Sequence, residues 1–308
     1  NIGLMLQQIN HRGPDSKGFY FNENFKMGHC RLSIQDITSK GNQPMHSSDG
    51  RYIIAYNGEI YNFKSLRKQL QIKNYNFKSK TDTEVILKGY IEWKEEVINK
   101  LNGMFAFVIW DNKKKELFCA RDRYGIKPLY YFKNSKSFIF SSEIKGLLKN
   151  SNVSKKLNIK SIKQYLVFQN NFTNETFFEN IKSFPPGYFY IINCKQQRKI
   201  KYWAWNFFDD TLTRESGFSE GLILNKIENA VNKNLISSVP INTYLSSGID
   251  SSIIAYFAKK KVKNLKSFTI GFEKPKKFQF EDESKIARHI SEYLKINNYL
   301  KKLNKNCI

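Results

Sequence analysis

A loop of small residues, Leu245-Ser246-Ser247-Gly248-Ile249-Asp250-Ser251-Ser252, separates a strand-like run from a helical run. Small residues let backbone N–H groups approach a bound anion, and the N-terminus of the following helix adds partial positive charge. The hydroxyls of Ser246 and Ser251 can donate hydrogen bonds to phosphate oxygens, and Asp250 can hold a magnesium ion that neutralises them. The alternative is an ordinary Ser/Gly turn whose Asp and Ser residues cap the helix. These residues alone leave both interpretations open.

Short polar motifs recur through the first half of the chain, and each has an ordinary structural explanation. An Asn-Gly pair is most often a tight turn. An isolated arginine such as Arg31 is most often a surface cation, and Asp82 stands where it can cap the apolar helix that follows. No motif is decisive alone. In chain order they are His11–Asp15, Arg31–Ile34, Asn57–Asn62, Thr81–Glu84, Arg121–Leu129 and Ser142–Lys145.

The elements around these motifs are mainly short strands. Strand-like runs between Phe19 and Phe140 include RYIIAYNG, GMFAFVIW, ELFCARD, PLYYF and SFIFSS. A helix is predicted over residues 1–10, and helical patterns at Phe63–Leu70 and Thr83–Glu92 interrupt the strands. This mixture predicts an α+β domain of stacked antiparallel sheets with flanking helices.

The pattern changes after the Pro185-Pro186-Gly187 turn. A YFYIIN strand leads into KYWAWNF and then into a linker at about residues 206–219. From Leu222 onward the chain alternates helix, strand, loop, helix, strand and helix, which predicts an α/β domain with a parallel sheet that is incomplete at Ile308. The predicted domains are therefore residues 1–205 and 206–308.

Composition indicates a folded protein without a membrane segment. The chain has 308 residues, of which 41% are hydrophobic and 15% aromatic, which suits two domains with their own cores. No apolar run approaches the roughly 20 residues needed to span a bilayer, and the first residues do not form a secretory signal. The cysteines match no metal-binding spacing, so a reduced, cytoplasmic protein is expected. They are Cys30, Cys119, Cys194 and Cys307.

The formal net charge is +24, which can favour an anionic partner such as a nucleic acid. The basic residues are spread along the whole chain, with short runs only at Lys113–Lys115 and Lys259–Lys261. A dedicated nucleic-acid binder usually concentrates its charge on one surface. The charge is therefore interpreted as a compositional bias, and nucleic acid is not an expected partner.

In this order, the motifs resemble those of a known family. Together with Gln43-Pro44-Met45 and Gly103–Phe107, they are similar to the class II glutamine amidotransferase domain of glutamine-hydrolysing asparagine synthetases. The resemblance spans nearly the whole chain. It implies a first domain of the Ntn-hydrolase type, whose nucleophile is a cysteine at the mature N-terminus with its own α-amino group as base.

The resemblance also implies which residues bind glutamine. A bidentate arginine, Arg31, suits the α-carboxylate. Asp82, helped by Glu59, suits the α-ammonium. The Asn57 side chain and the Gly58 backbone N–H suit the oxyanion of the tetrahedral intermediate. The matching family positions are Arg31, Leu32, Ile34, Asn57, Gly58, Glu59 and Asp82.

The loop at Ser246 resembles the PP-loop of ATP pyrophosphatases, whose pattern is Ser-Gly-Gly-x-Asp-Ser. Ser247 stands in place of the first of the two glycines. The strand Phe268–Phe272 resembles the segment whose backbone reads adenine. The resemblance implies ATP and Mg²⁺ as cofactors, with Asp250 as the magnesium ligand. The implied ATP-binding residues are Leu245, Ser246, Ser247, Gly248, Asp250, Ser251 and Ile270.

The family's nucleophile is expected upstream of Asn1. The Cys-Gly-Ile strand that precedes the first helix in the family is absent, and Cys30 is interpreted as a small apolar residue. We therefore expect a chain cut at both ends. As it stands, we expect it to be inactive in glutamine hydrolysis and a poor synthetase.

The implied function is ATP-dependent synthesis of asparagine. Ammonia from glutamine would pass to the second domain, where ATP adenylates the side chain of aspartate and AMP and pyrophosphate are released. Ser247 and the basic stretch after Leu294, which does not match, favour an alternative in which the same fold amidates another carboxylate. A second alternative is a non-catalytic binding module of this fold. The acceptor and the oligomeric state stay open, a homodimer among the options.

Overall fold

The computed structural model describes residues 2–207, 219–273 and 282–304. The chain divides into two compact units, Asn1–Phe207 and Phe208–Ile308. Most of the predicted linker, residues 208–218, and Cys307 lie outside the described residues. Within the described ranges, every helix is too short or too polar to serve as a membrane span.

The first unit contains eleven strands and six α-helices in its described residues. Its helices are α1 (Ile2–Gln8), α2 (Phe63–Ile72), α3 (Asp82–Trp93), α4 (Val97–Lys100), α5 (Ile144–Leu147) and α6 (Ile159–Phe168). Its strands are β1 (Ser16–Phe21), β2 (Lys26–Arg31), β3 (Met45–His46), β4 (Tyr52–Ile60), β5 (Gly103–Asp111), β6 (Glu116–Arg121), β7 (Tyr130–Lys133), β8 (Phe138–Ser141), β9 (Ile181–Ser183), β10 (Tyr188–Ile192) and β11 (Gln197–Lys201).

A six-stranded sheet in the order β11-β10-β6-β5-β4-β3 forms the centre of the first unit, and its described pairs are antiparallel. Separate sheets pair β1 with β2 and order three strands as β8-β7-β9. One apolar core packs Ala106, Val108 and Trp110 of β5 against Tyr131 of β7 and Phe140 of β8. The sheets are thus stacked, and the predicted α+β class is confirmed.

Strand β4 changes character along its length. Its first residues, Tyr52 to Tyr56, are buried because β4 lies between β3 and β5. Its polar residues Asn57, Gly58 and Glu59 are half-buried. A Cβ atom at Gly58 would lie only 2.3 Å from the Met104 carbonyl oxygen, so this step of the strand requires glycine. The strand therefore holds the Asn57-Gly58-Glu59 motif in extended form, not in a tight turn.

The motif after β6 is organised by one buried carboxylate. Asp122 is 1% exposed and accepts backbone N–H bonds from Phe105 (3.2 Å), Tyr124 (3.0 Å), Ile126 (3.0 Å) and Lys127 (3.0 Å). A carboxylate is acceptor-only, so it satisfies several N–H groups that a loop would otherwise leave unpaired. The Arg121–Leu129 motif is therefore a fixed loop that places Lys127.

The second unit has the predicted parallel sheet in its described residues. Strands β12 (Asn242–Tyr244), β13 (Lys266–Phe272) and β14 (Asn297–Leu303) pair in parallel in the order β12-β13-β14. Three helices accompany them, α7 (Glu220–Asn234), α8 (Ile249–Lys261) and α9 (Ser284–Tyr293). Residues of these helices form an apolar core with Leu245, Leu265 and Ile296.

Strand β14 was not predicted. Its sequence, NNYLKKL, lacks a clear alternation of apolar and polar residues, and most of its side chains are exposed. It forms because its backbone pairs with β13 along seven residues, from Lys266↔Asn297 to Phe272↔Leu303. Part of the basic stretch after Leu294, Asn297–Leu303, is therefore a sheet strand.

We expect Asp122→Ala to lower the free energy of unfolding by about 3–5 kcal/mol, because four backbone N–H groups, one buried and three part-buried, would lose their acceptor. Urea titration followed by tryptophan fluorescence measures this. Glu179→Ala is the control, since Glu179 forms only an exposed ion pair with Lys156 and should cost about 0–1 kcal/mol. Equal effects of the two substitutions would contradict the role of Asp122.

Candidate functional site

A cavity of about 590 Å³ lies in the first unit. The ends of β2, β4 and β5 and the start of α3 contribute to its wall. Motifs that are separate in sequence thus meet at one place. Among the lining residues are all seven that were predicted on the glutamine side, Arg31, Leu32, Ile34, Asn57, Gly58, Glu59 and Asp82.

Arg31 ends β2 and is 6% exposed, so it is not the surface cation of the ordinary interpretation. Its Nη1 donates to the Thr38 carbonyl (2.8 Å) and to the Asn42 side chain (3.0 Å). Its Nη2 donates to the carbonyls of Gln35 (3.3 Å) and Asp36. The guanidinium therefore fastens the loop between residues 34 and 42 onto the cavity wall.

Asp82 lies in the first turn of α3, whose N-cap is Thr81, so the interpretation of Asp82 as the cap is wrong. Thr81 takes that place because its hydroxyl accepts from the Glu84 N–H. The Asp82 carboxylate turns instead toward β4. Its Oδ2 accepts from the Tyr56 hydroxyl (2.7 Å) and from the Ile60 N–H (2.9 Å).

Two carboxylates in this wall lack a cationic partner. Asp82 is 5% exposed, and Glu59 is half-buried with one hydrogen bond from Gln35 Nε2 (3.4 Å). Burial raises the pKa of both carboxyl groups. Neither forms an ion pair with any described residue. A buried carboxylate without a partner is costly, so this end of the cavity favours a ligand cation.

The Asn57 side chain is an unsatisfied donor. Its Nδ2 is shielded from water and has no hydrogen-bond partner among the described residues. An unpaired buried N–H costs about 1–3 kcal/mol, and an acceptor oxygen on a ligand would remove that cost. Gly58 follows it on β4, and both line the cavity. The pair therefore offers a hydrogen-bond donor to an acceptor in the cavity.

His29 is a cavity residue that the sequence interpretation missed. It lies on β2 two residues before Arg31, a spacing that puts both side chains on one face of the strand. Its Nε2 lies 3.0 Å from the Tyr56 carbonyl oxygen, and its Nδ1 has no partner among the described residues. Burial, with a smaller contribution from Arg31, lowers the pKa of His29 to about 4. The imidazole is therefore neutral at neutral pH.

Lys127 is a second lining residue that was not singled out. Burial lowers its pKa, while the charge of Glu59 acts in the opposite direction. The loop organised by Asp122 places Lys127 in the cavity wall. Lys127 and Glu59 do not form a direct ion pair. Its motif, Arg121–Leu129, was noted in the sequence, but only the fold reveals which of its residues reaches the cavity.

The described cysteines do not form an activated nucleophile. The Cys30 thiol lines the cavity and donates to the Leu6 carbonyl (3.7 Å), and burial raises its pKa. Burial also raises the pKa of Cys119, and Cys194 is exposed. A nucleophilic cysteine needs a lowered pKa. Cys30 is thus a small packing residue, as its sequence context indicated.

In the second unit, the loop at Ser246 leads from β12 into α8. Leu245 is buried and donates to the Phe268 carbonyl (3.0 Å). The hydroxyls of Ser246 and Ser251 lie 2.9 Å apart, and the Ser247 N–H donates to Glu283 (3.4 Å). The N-cap of α8 is Gly248 without a side-chain bond, so neither Asp250 nor a serine caps this helix.

Strand β13 extends past the end of β12. Register pairs Tyr244 with Phe268, and the next residues of β13 pair only with β14. Phe268 directs its carbonyl toward β12. Backbone groups alternate between the two sides of a strand, so residues two apart direct theirs to the same side. The carbonyl of Ile270 therefore points to the same side as that of Phe268, which is open beyond the end of β12 and next to the loop. This edge offers a backbone donor and acceptor to a planar ligand.

Asp250 is the candidate magnesium ligand. It is exposed in the first turn of α8 and makes no hydrogen bond or ion pair with any described residue. The described residues contain no group of three or more His, Cys, Asp or Glu side chains that could hold a metal. Magnesium commonly binds through one carboxylate together with substrate phosphates and water. A free carboxylate beside a loop of small residues fits that chemistry.

The chain belongs to the glutamine amidotransferase family. The family model of the glutamine amidotransferase domain matches residues 1–203, and that of asparagine synthase matches residues 222–306. The family that the spaced motifs indicated is therefore confirmed.

Two curated relatives match over nearly the whole chain. The chain is 38% identical over 300 residues to asparagine synthetase (glutamine-hydrolyzing) 1 of Bacillus subtilis, covering 97% of this chain and 46% of the relative. It is 31% identical over 323 residues to Amidase chry2 of Gibberella zeae, covering 98% and 47%. A solved B. subtilis glutamine phosphoribosylpyrophosphate amidotransferase aligns with a TM-score of 0.47 at 15% identity, over 97% of this chain and 62% of that one. The chain spans about half the length of the curated relatives it matches.

We expect His29 to make the first unit less stable in acid. Its pKa is near 4 in the folded state and about 6.5 when exposed, so the unfolded state binds the proton first. Stability therefore falls as pH drops from 6.5 to 4, by roughly 2–3 kcal/mol on account of this group. Urea unfolding across that range measures it.

The matched variant for this measurement is His29→Gln, which removes the titrating ring. The difference in stability between wild type and this variant should shrink or change sign as the pH falls. His46→Gln, at an exposed histidine, is the control for losing a histidine elsewhere. A difference that stays constant with pH would contradict a buried neutral His29.

Proposed function

We propose that the first unit binds glutamine and releases its amide nitrogen. The observation that carries this is one cavity wall that contains the unpaired Asn57 donor and two carboxylates without a cationic partner among the described residues, the buried Asp82 and the half-buried Glu59. A free α-amino acid with a side-chain carbonyl supplies what each group lacks. Its ammonium neutralises Asp82 and Glu59, and its amide oxygen accepts from Asn57. The match to the glutamine amidotransferase domain supports this reading of the cavity.

Arg31 is proposed to hold the α-carboxylate. It lies in the same wall as Asp82 and Glu59 and carries a positive charge. Four of its N–H groups bond to the loop between residues 34 and 42, so the carboxylate binds through Nε and through N–H groups exchanged from the loop carbonyls. Leu32 and Ile34 lie at the same edge of the cavity and complete the proposed site.

Hydrolysis of an amide at this site needs a nucleophile and an oxyanion donor. The proposed donors are Asn57 Nδ2 and the Gly58 N–H, which would stabilise the tetrahedral intermediate as its oxygen becomes negative. The proposed nucleophile is the family's N-terminal cysteine, since burial raises the pKa of Cys30 and of Cys119, the opposite of what activation needs. Amide hydrolysis by residues 1–308 alone is accordingly not expected.

The second unit is proposed to bind ATP. The loop from Leu245 to Ser251 offers hydroxyls and backbone N–H groups for phosphates, and the backbone of Ile270 offers an edge for adenine. Asp250 would hold Mg²⁺, which supplies positive charge to the phosphates when bound. The asparagine synthase match supports this assignment. We propose the domain limits 1–205 and 206–308 on the same grounds.

The proposed overall reaction transfers ammonia to a carboxylate that ATP has adenylated, with AMP and pyrophosphate as products. Aspartate is the proposed acceptor, because the B. subtilis relative is named an asparagine synthetase. A different acceptor is the second candidate, supported by the similarity to a fungal amidase.

The described cysteines are unpaired, which supports a reducing compartment such as the cytoplasm.

We expect Arg31→Ala, in the protein expressed from its complete reading frame, to raise the glutamine concentration for half-maximal synthesis by roughly 10- to 100-fold, because a charged hydrogen-bond donor is lost. Synthesis with free ammonia should be unchanged. Arg51→Ala is the matched control, since Arg51 pairs with Asp111 outside the cavity wall. Equal loss with glutamine and ammonia would contradict the role of Arg31.

We expect ATP turnover by the same protein to release AMP and pyrophosphate, because the loop at Ser246 is read as a pyrophosphate loop. Product analysis by chromatography, with aspartate and a panel of other carboxylates, measures both the products and the acceptor. Release of ADP and phosphate would contradict the loop assignment. Turnover with another carboxylate but not aspartate would decide for the second candidate.

A further inference from the structure

The cavity wall contains both an unpaired donor and an unpaired acceptor. Asn57 Nδ2 and His29 Nδ1 are both shielded from water, and neither has a hydrogen-bond partner among the described residues. Both residues line the same cavity. Native proteins seldom leave buried polar atoms unpaired, so two such atoms in one wall call for a common explanation.

The tautomer of His29 follows from its one contact. Its Nε2 lies 3.0 Å from the Tyr56 carbonyl oxygen, which can only accept. Nε2 therefore carries the hydrogen. Because the ring is buried and neutral, Nδ1 bears a lone pair and no hydrogen. His29 thus presents a pure acceptor to the cavity.

The contact also locates the acceptor. The Tyr56 carbonyl belongs to the peptide bond between Tyr56 and Asn57. The imidazole of His29 therefore lies next to the backbone that carries the Asn57 side chain. The two unpaired atoms do not bond to each other, although a donor and an acceptor would do so if they met. A single ligand group that satisfied both atoms would have to carry an acceptor for Asn57 Nδ2 and a donor for His29 Nδ1.

We propose that His29 is a specificity-determining residue that recognises the side-chain amide of glutamine. Its Nδ1 accepts a hydrogen bond from the amide NH₂, while Asn57 Nδ2 donates to the amide oxygen. A primary carboxamide matches this donor–acceptor pair. A carboxylate does not, because it would set an oxygen lone pair against that of Nδ1. The inference rests on the proposed glutamine site and names the group that separates glutamine from glutamate.

The other end of the cavity supports this orientation. Glu59 lies two residues beyond Asn57 on β4, and its carboxylate has Gln35 as its hydrogen-bond donor. At about 3.3 Å per residue, Asn57 and Glu59 are separated by roughly 7 Å along the strand. The Glu59 carboxylate and the pair for the amide are therefore at different places, as a molecule with both an ammonium and an amide requires.

Two substitutions at His29 distinguish recognition of the ligand amide from support of strand β4. His29→Gln can place a donor at the position of Nε2 and keep the bond to the Tyr56 carbonyl, but it removes the acceptor at Nδ1. His29→Asn places a side-chain oxygen near the position of Nδ1 and removes the bond to Tyr56. The probes are L-glutamine, L-glutamate and L-norvaline, which shares the head group and lacks the amide. Calorimetry of the 308-residue chain measures their affinities.

We expect the wild-type chain to prefer glutamine over both other ligands. His29→Gln should weaken glutamine binding by about tenfold, as for the loss of a hydrogen bond from a buried group, with norvaline unchanged. His29→Asn should retain most of the preference. Norvaline binding also shows that each variant still forms the pocket.

Three outcomes would overturn the proposal. In the first, His29→Gln keeps the full preference for glutamine over norvaline. In the second, His29→Gln weakens glutamine and norvaline equally, which is the result of a purely structural role. In the third, the wild type binds norvaline and glutamine equally well. A wild type that binds no amino acid would instead overturn the proposed glutamine site, and with it this inference.

Discussion

The buried carboxylate of Asp82 is the interaction on which the arrangement of the site depends. It accepts from the Tyr56 hydroxyl and from the Ile60 N–H, which stand on either side of the Asn57-Gly58-Glu59 motif. One side chain of α3 thereby fixes both ends of the functional stretch of β4. The strand cannot shift its register without breaking this contact, so the motif keeps its place relative to the cavity.

Two carboxylates of the site lack a cationic partner among the described residues, although the protein as a whole is strongly basic. The chain carries a net charge of +24, yet no described lysine or arginine pairs with Asp82 or Glu59. In a protein with so many basic residues, an unpaired buried acid is a costly arrangement. Such cost is tolerated where a ligand removes it, as is usual for functional sites. The unpaired carboxylates of the cavity are therefore explained by ligand binding rather than by folding stability.

Sequence reasoning was most successful where spacing carries the information. The apolar runs predicted β4, β5 and the parallel sheet, and the order of the motifs predicted the family. It could not find His29, because its significance lies in a tautomer and an unpaired atom, which are properties of three-dimensional packing. It missed β14, because pairing with β13 and not apolar alternation holds that strand. It offered Asp82 as a helix cap in the ordinary structural explanation, because Thr81 and Asp82 are both cap-forming residue types and only the structure shows where the helix begins.

If Arg31 holds the ligand carboxylate as proposed, its bonds to the loop make ligand capture an exchange reaction. A Cβ atom at Gly41 would lie 2.1 Å from Arg31 Nη2, so glycine allows the loop to close directly onto the guanidinium. A ligand carboxylate must compete with the loop carbonyls for the same N–H groups. The net affinity is then a difference between two sets of hydrogen bonds, and the association rate depends on how often the loop releases the arginine. Arg31, which would bind the ligand through its charge, would then also control how fast the ligand enters the site.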